Sequence, residues 1–280
     1  MREGRIWVNG QLSEHISPQD RGLLYGDGFF TTVRWEGRAL LNWAAHLQRL
    51  RQSASALGFA PNTAAQVVEQ LREIIPGLPA EDGIVRITVT RGQGARGYRP
   101  PQAEVPCCIV QFTPGLPASI APLTVTISQV VWAQPVQLVG IKHLNRLPQV
   151  LAAQQLPDGC DEALMQDARH HLISGISSAL VGRVGKTLYS PVLDTVGVES
   201  TTVQALRHAA QSLGWQWHTT HLPMGRLLQM EGVALLNAVR GLQPVAHLRT
   251  PIEKHFDIDG WAPLTEALAQ WQREAQWCGE

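Results

Sequence analysis

Thr113-Pro114-Gly115-Leu116-Pro117-Ala118-Ser119-Ile120-Ala121-Pro122 crowds three prolines and a glycine into one short stretch. Proline fixes φ and carries no amide donor, so neither a helix nor an interior strand runs through it. The stretch is read as a boundary: an N-terminal domain over 1–114, a linker over 115–122 and a C-terminal domain over 123–280. With 280 residues, 44% of them hydrophobic, the chain is long enough for about two domains with real cores.

Upstream of the boundary, residues 5–8 read as a strand entering the Asn9-Gly10 turn, 29–35 as a strand ending at Glu36-Gly37, and 39–41 as its return. Asn42 is the expected N-cap of a helix carrying Ala45, Leu47, Leu50 and Ala54 at helical spacing. A second helix over 64–75 and strands over 84–90 and 108–112 complete this half. Downstream, strands are expected over 123–131, 163–167, 177–184, 187–190 and 233–238. Helices are expected from about Pro148, over 202–213 and over 264–274. The pattern is α+β in both halves, without an internal repeat.

Lysine plus arginine equals aspartate plus glutamate at 23 each, so no overall field draws nucleic acid or an acidic membrane, and any anion site must be local. Cys107, Cys108, Cys160 and Cys278 lack metal-ligand spacing and do not suggest a disulfide framework. The opening Met1-Arg2-Glu3-Gly4-Arg5 has no apolar signal core, and no apolar run reaches the roughly 20 residues that span a bilayer. A cytoplasmic protein without metal, nucleic-acid or membrane partners is expected.

Gly92-Gln93-Gly94-Ala95-Arg96-Gly97 matches the dinucleotide-binding fingerprint by letter. The fingerprint needs a helix at once, so that its amides meet a pyrophosphate, and Tyr98-Arg99-Pro100-Pro101 forbids one. Two readings remain: a tight loop aiming Arg96 and Tyr98 into a cavity, or a surface hairpin loop. Lys142, in Gly140-Ile141-Lys142-His143-Leu144-Asn145-Arg146-Leu147-Pro148, stands where an apolar stretch meets a helix former. Partial desolvation there lowers an amine pKa and makes a nucleophile, so Lys142 is the candidate Schiff-base lysine; a solvated surface charge is the alternative. Arg49 in His46-Leu47-Gln48-Arg49-Leu50 either faces solvent or holds an anion. Gly197-Val198-Glu199-Ser200-Thr201-Thr202 precedes a helix, where its hydroxyls and amides either hold a phosphate or simply cap. Asn237 joins that pocket or starts a turn.

Taken in order, Tyr25-Gly26-Asp27-Gly28-Phe29-Phe30-Thr31-Thr32, residues 46–50, Arg91 through Tyr98, and residues 140–147 resemble the class-IV pyridoxal-phosphate aminotransferase superfamily over essentially the whole chain. Phe30-Thr31 and the loop ending at Tyr98 are most similar to its aminodeoxychorismate lyase branch. The resemblance implies fold type IV: a small N-terminal α/β domain and a larger C-terminal domain with a β-barrel-like core. It implies pyridoxal 5'-phosphate as cofactor, a homodimer, and a carbon-oxygen lyase acting on the small molecule aminodeoxychorismate. By the same resemblance Lys142 bears the cofactor, Arg49, Thr201, Thr202 and Asn237 bind it, and Phe30, Arg96 and Tyr98 meet substrate; the Thr31 hydroxyl either assists protonation of the leaving group or satisfies a backbone carbonyl.

Three positions depart from that pattern: Ser174 stands where relatives have a glutamate on the pyridine nitrogen, Ala179 at a usual asparagine, and Val203 at a frequent arginine. A serine exchanges only a neutral hydrogen bond with the ring nitrogen and is a weaker partner for the pyridinium. Two other activities therefore stay open: an aminotransferase of a small amino acid, D-amino-acid or branched-chain, and a non-catalytic relative with a degenerate cofactor site.

Overall fold

The Asn9-Gly10 pair makes the first turn, both residues adopting left-handed φ (49° and 79°), as a two-residue hairpin with right-twisted strands requires. It joins β1 (Arg5–Val8) to β2 (Gln11–Leu12). The computed structural model describes residues 4–118 and 122–279. Residues 119–121 of the expected linker and the opening Met1 to Glu3 lie outside the described residues. Two units divide the chain: 1–117 with 141–145 and 272–280, and 118–140 with 146–271. The changeover at 117/118 falls inside the expected linker, but segments 141–145 and 272–280 group with the first unit, unlike the expected division.

In the first unit, α1 (Arg21–Tyr25) is followed by β3 (Gly28–Glu36), β4 (Ala39–Leu40), α2 (Trp43–Ala56), α3 (Thr63–Ile74), β5 (Gly83–Thr90) and β6 (Cys107–Pro114). The strands form one antiparallel sheet, β2-β1-β6-β5-β3-β4. Alternation sets its faces: Phe29, Val33 and Trp35 of β3 and Val85, Ile87 and Val89 of β5 join Leu50 of α2 and Leu71 of α3 in the core. Each such aliphatic side chain contributes about 1.5–3 kcal/mol over an exposed one. Asn42 occupies the N-cap of α2, but at φ 52° and without a side-chain cap bond. The expected capping is therefore replaced: a left-handed residue cannot aim its oxygen at the first turn, whereas at α1 the extended Asp20 does and accepts from Gly22 N at 2.8 Å.

The second unit holds β7 (Leu123–Val131), α4 (Leu147–Gln154), β8 (Glu162–Gln166), β9 (Leu172–Gly175), β10 (Ala179–Val184), β11 (Thr187–Pro191), α5 (Thr201–Ser212), β12 (Gln216–Thr220), α6 (Met224–Leu228), β13 (Gly232–Asn237), β14 (Gly241–Leu248), β15 (Lys254–His255) and α7, which begins at Ala262 and runs to Glu274. The strands follow the path β12-β11-β10-β13-β14-β7-β8-β9, and pairing of Ala179 with Ser174 joins β9 back to β10. Six strands thereby close into a barrel filled by Leu123, Val125, Leu164, Leu180, Val233 and Val245. The expected strand over 177–184 is β10, which starts two residues later at Ala179, and β9, to which the sequence reading assigned no strand, precedes it in a hairpin. Buried Glu162 accepts from Ser177 N at 2.6 Å and from the Ser178 hydroxyl, which pulls the chain into a turn.

Candidate active site

Within the first unit, residues 141–145 run alongside the start of β3. Phe30 N donates to Lys142 O at 3.0 Å, Leu144 N donates to Gly28 O at 3.0 Å, and Phe29 and His143 form an antiparallel bridge. Gly28 must be glycine here, since a Cβ would meet Val89 O at 2.3 Å. The half-buried Lys142 brings its Nζ to 4.7 Å from the centre of the Phe30 ring, and the Arg86 guanidinium lies 4.1 Å from that same centre. One aromatic side chain thus carries two cations.

Alternation turns Thr31 the other way, toward α2. Its hydroxyl lies 2.7 Å from His46 Nδ1, and Arg49 Nη1 donates to it at 3.4 Å. Thr31 and His46 are buried. Burial first, then the positive charges of Arg49 and Lys142, hold the His46 pKa well below the ordinary imidazole value, so the ring is neutral. Arg49 and Lys142 both act on His46, so these side chains share one neighbourhood.

Arg96 and Tyr98 behave differently. Both are exposed in this chain, Tyr98 by 85%, which favours the surface-loop reading over a cavity. The physical reason is Arg21. Its buried guanidinium donates to Gly97 O at 3.0 Å and Tyr98 O at 2.7 Å, turning the loop's carbonyls inward and its side chains outward. Asp27 anchors Arg21 at 2.8 Å and Arg91 at 2.9 Å. Sequence reading gave Arg21, His46 and Glu162 no role, although His46 opens the quoted 46–50 motif and Asp27, the partner of Arg21, lies inside Tyr25–Thr32.

Within the second unit, Ser174, Ala179, Val198, Ser200, Val203 and Arg207 line a cavity of about 380 Å³. The three positions that depart from the family pattern therefore face one space. Ser200 caps α5, its Oγ accepting from Val203 N at 3.2 Å. Thr201 and Thr202 follow, both buried, and Thr202 Oγ1 has no hydrogen-bond partner among the described residues. A buried hydroxyl left unsatisfied at a helix N-terminus suits a phosphate oxygen. Gly140 N donates to Gly197 O and Glu199 N to Gly140 O, both at 3.0 Å, which fastens the residue two before Lys142 to the loop leading into α5. Ser174 Oγ donates to Gly175 O at 2.7 Å, so its proton is committed and its oxygen can only accept. Asn237 is occupied otherwise: its Oδ1 accepts from the amides of Val239 (3.0 Å) and Arg240 (2.8 Å), the turn-forming role of the two considered.

The profile of the family described as Amino-transferase class IV matches residues 28–248. The chain belongs to this family. The likeness extends over nearly the whole chain: a crystal structure of 4-amino-4-deoxychorismate lyase from Pseudomonas aeruginosa superposes with a TM-score of 0.86 at 31% identity, covering 96% of this chain and 98% of that one. The aminodeoxychorismate lyase of Vibrio harveyi is 27% identical over 257 residues, 89% of this chain and 93% of that protein. A D-alanine aminotransferase of Staphylococcus aureus is 28% identical over 160 residues, 54% of this chain and 55% of that protein. This is an enzyme family whose cofactor is pyridoxal 5'-phosphate. The residues present fit that group at its phosphate end, where Thr202 has an unsatisfied hydroxyl, and offer it a neutral acceptor at Ser174 in place of a carboxylate. Among the described residues no cluster suits a metal ion, and no helix is long and apolar enough to cross a membrane.

Proposed function

We propose that the chain is an aminodeoxychorismate lyase, converting 4-amino-4-deoxychorismate into 4-aminobenzoate and pyruvate. The observation that carries this reading is the extent of likeness: the two lyases match over nearly their full lengths, the D-alanine aminotransferase over about half. Local chemistry supports it. The Phe30 ring beside Lys142 offers a flat apolar surface to a six-membered ring, and Arg86 on the same ring offers a positive partner to a carboxylate.

In this reading Lys142 would bear the cofactor and Arg49 would meet its phosphate, while within the second unit Thr202 would offer a hydroxyl to a phosphate oxygen and Ser174 an acceptor to the ring nitrogen. When bound, the cofactor supplies an electron sink for the carbanion formed beside the substrate nitrogen. Lys142 Nζ would remove the proton from the ring carbon bearing the substrate amine. Loss of the enolpyruvyl group leaves an aromatic ring, so the elimination is strongly downhill and tolerates the weaker partner at Ser174. A homodimer belongs to this reading. Leu23 and Leu24 of α1 and Tyr98, whose ring meets Tyr25, are exposed apolar surface that a second copy would cover.

The test supplies aminodeoxychorismate to cofactor-loaded protein and follows 4-aminobenzoate fluorescence. Lys142→Ala is expected to abolish the signal, and borohydride to fix cofactor mass on the Lys142 peptide of the parent protein. Amino transfer from D-alanine to a 2-oxoacid without any 4-aminobenzoate would replace the lyase reading with an aminotransferase. Failure to take up the cofactor at all would leave a non-catalytic relative.

A further inference from the structure

We infer that Thr31 and His46 form a buried positioning relay for Arg49, through which the guanidinium is held for the cofactor phosphate. The inference rests on the proposed reading that Arg49 binds that phosphate. Thr31 lies on the core-facing side of β3, away from the Phe30 face, and its hydroxyl touches two side chains of α2 only. A guanidinium only donates, so Thr31 Oγ1 accepts from Arg49 Nη1. The remaining hydroxyl proton needs an acceptor, and among the described residues only His46 Nδ1, at 2.7 Å, faces it.

The chain Arg49 to Thr31 to His46 is therefore polarised in one direction, and it requires Nδ1 to be unprotonated. Burial beside the charges of Arg49 and Lys142 keeps the ring neutral, and the relay assigns its one proton to Nε2, which leaves Nδ1 to accept. The same network explains what a threonine does in a face otherwise filled by Phe29, Val33 and Trp35. It also removes Thr31 from proton delivery to a leaving group, because its proton already belongs to His46. Thr31 and His46 are thus positioning residues, acting through Arg49.

The test compares the affinity of the cofactor-free protein for pyridoxal 5'-phosphate and for pyridoxal, which lacks the phosphate. Thr31→Val and His46→Leu are expected to weaken the phosphorylated form about tenfold while leaving pyridoxal within about twofold, as loss of one charge-assisted hydrogen bond implies. Thr31→Ser and His46→Asn, which keep a hydroxyl and an acceptor near the same points, are expected to restore the preference. Equal losses for both ligands, or none for Thr31→Val, would overturn the relay. Arg49→Gln separates the two readings. An unchanged preference in that variant refutes Arg49 as the phosphate ligand; a lost preference there that Thr31→Val does not share refutes the relay alone.

Discussion

At the scale of single residues, buried titratable groups carry the clearest consequences. An unfolded histidine titrates near pH 6.5, whereas the folded chain resists protonation of His46. The unfolded state then binds more protons at acid pH, so stability conferred by neutral His46 is complete above about pH 6.5 and is lost as pH falls below it. The loss amounts to as much as about 1.4 kcal/mol per pH unit. Denaturant titrations between pH 7 and 5 are expected to give a shallower decline for His46→Asn than for the parent; identical slopes would exclude His46 as the source. Thiols follow the same logic. Burial, then Asp20, pushes Cys107 up to about 11, and burial, then Cys107, pushes Cys108 up to about 12, while Cys278 is exposed. Iodoacetamide at pH 8 should modify Cys278 roughly tenfold or more faster than Cys108, as peptide mass mapping would report. Ser174→Glu, at a cavity with room for it, is expected to raise lyase turnover by about tenfold or more if the elimination is limited by the ring-nitrogen partner. No gain would mean a site rebuilt around serine.

At the scale of elements, the β9–β10 hairpin depends on one carboxylate. Glu162 satisfies the Ser177 amide and the hydroxyls of Ser177 and Ser178, and Glu162→Ala leaves these groups unpaired. A loss of about 1–3 kcal/mol is expected in urea unfolding, and a shift below about 0.5 kcal/mol would remove Glu162 from the hairpin's support. The elements that sequence patterning found were those whose signals are local: Asn9-Gly10, the alternation of β3 and β5, the apolar spacing of α3 and α5. Those it missed lack such signals. β14 carries Pro244 within a strand, β12 is a largely polar and exposed edge, and β9 is only four residues long. Lys142 and Arg49 stand out in the sequence by motif, and Ser200 and Thr202 by helix-start chemistry. Arg21 does not: its partners Gly97 and Tyr98 lie 76 and 77 residues away and only folding joins them. The outward turn of Arg96 and Tyr98 rests on that same long-range contact.

At the scale of the whole molecule, the first unit draws on three separate stretches of chain. Residues 142–144 border β3, and Leu40 exchanges backbone hydrogen bonds with Trp277 at 2.9 and 3.0 Å. A fragment of residues 1–117 is expected to lack stable structure by circular dichroism, because both borders of β3 and β4 lose these partners; a cooperative thermal transition in that fragment would refute the dependence. The composite make-up also governs how this gene can be recombined with its relatives. A chimera exchanged at a single crossover near residue 117 would take residues 1–117 of the first unit from one parent and its segments 141–145 and 272–280, Lys142 included, from the other. Hybrids that keep parental partners together need exchange points on either side of codons 141–145 and another near codon 272.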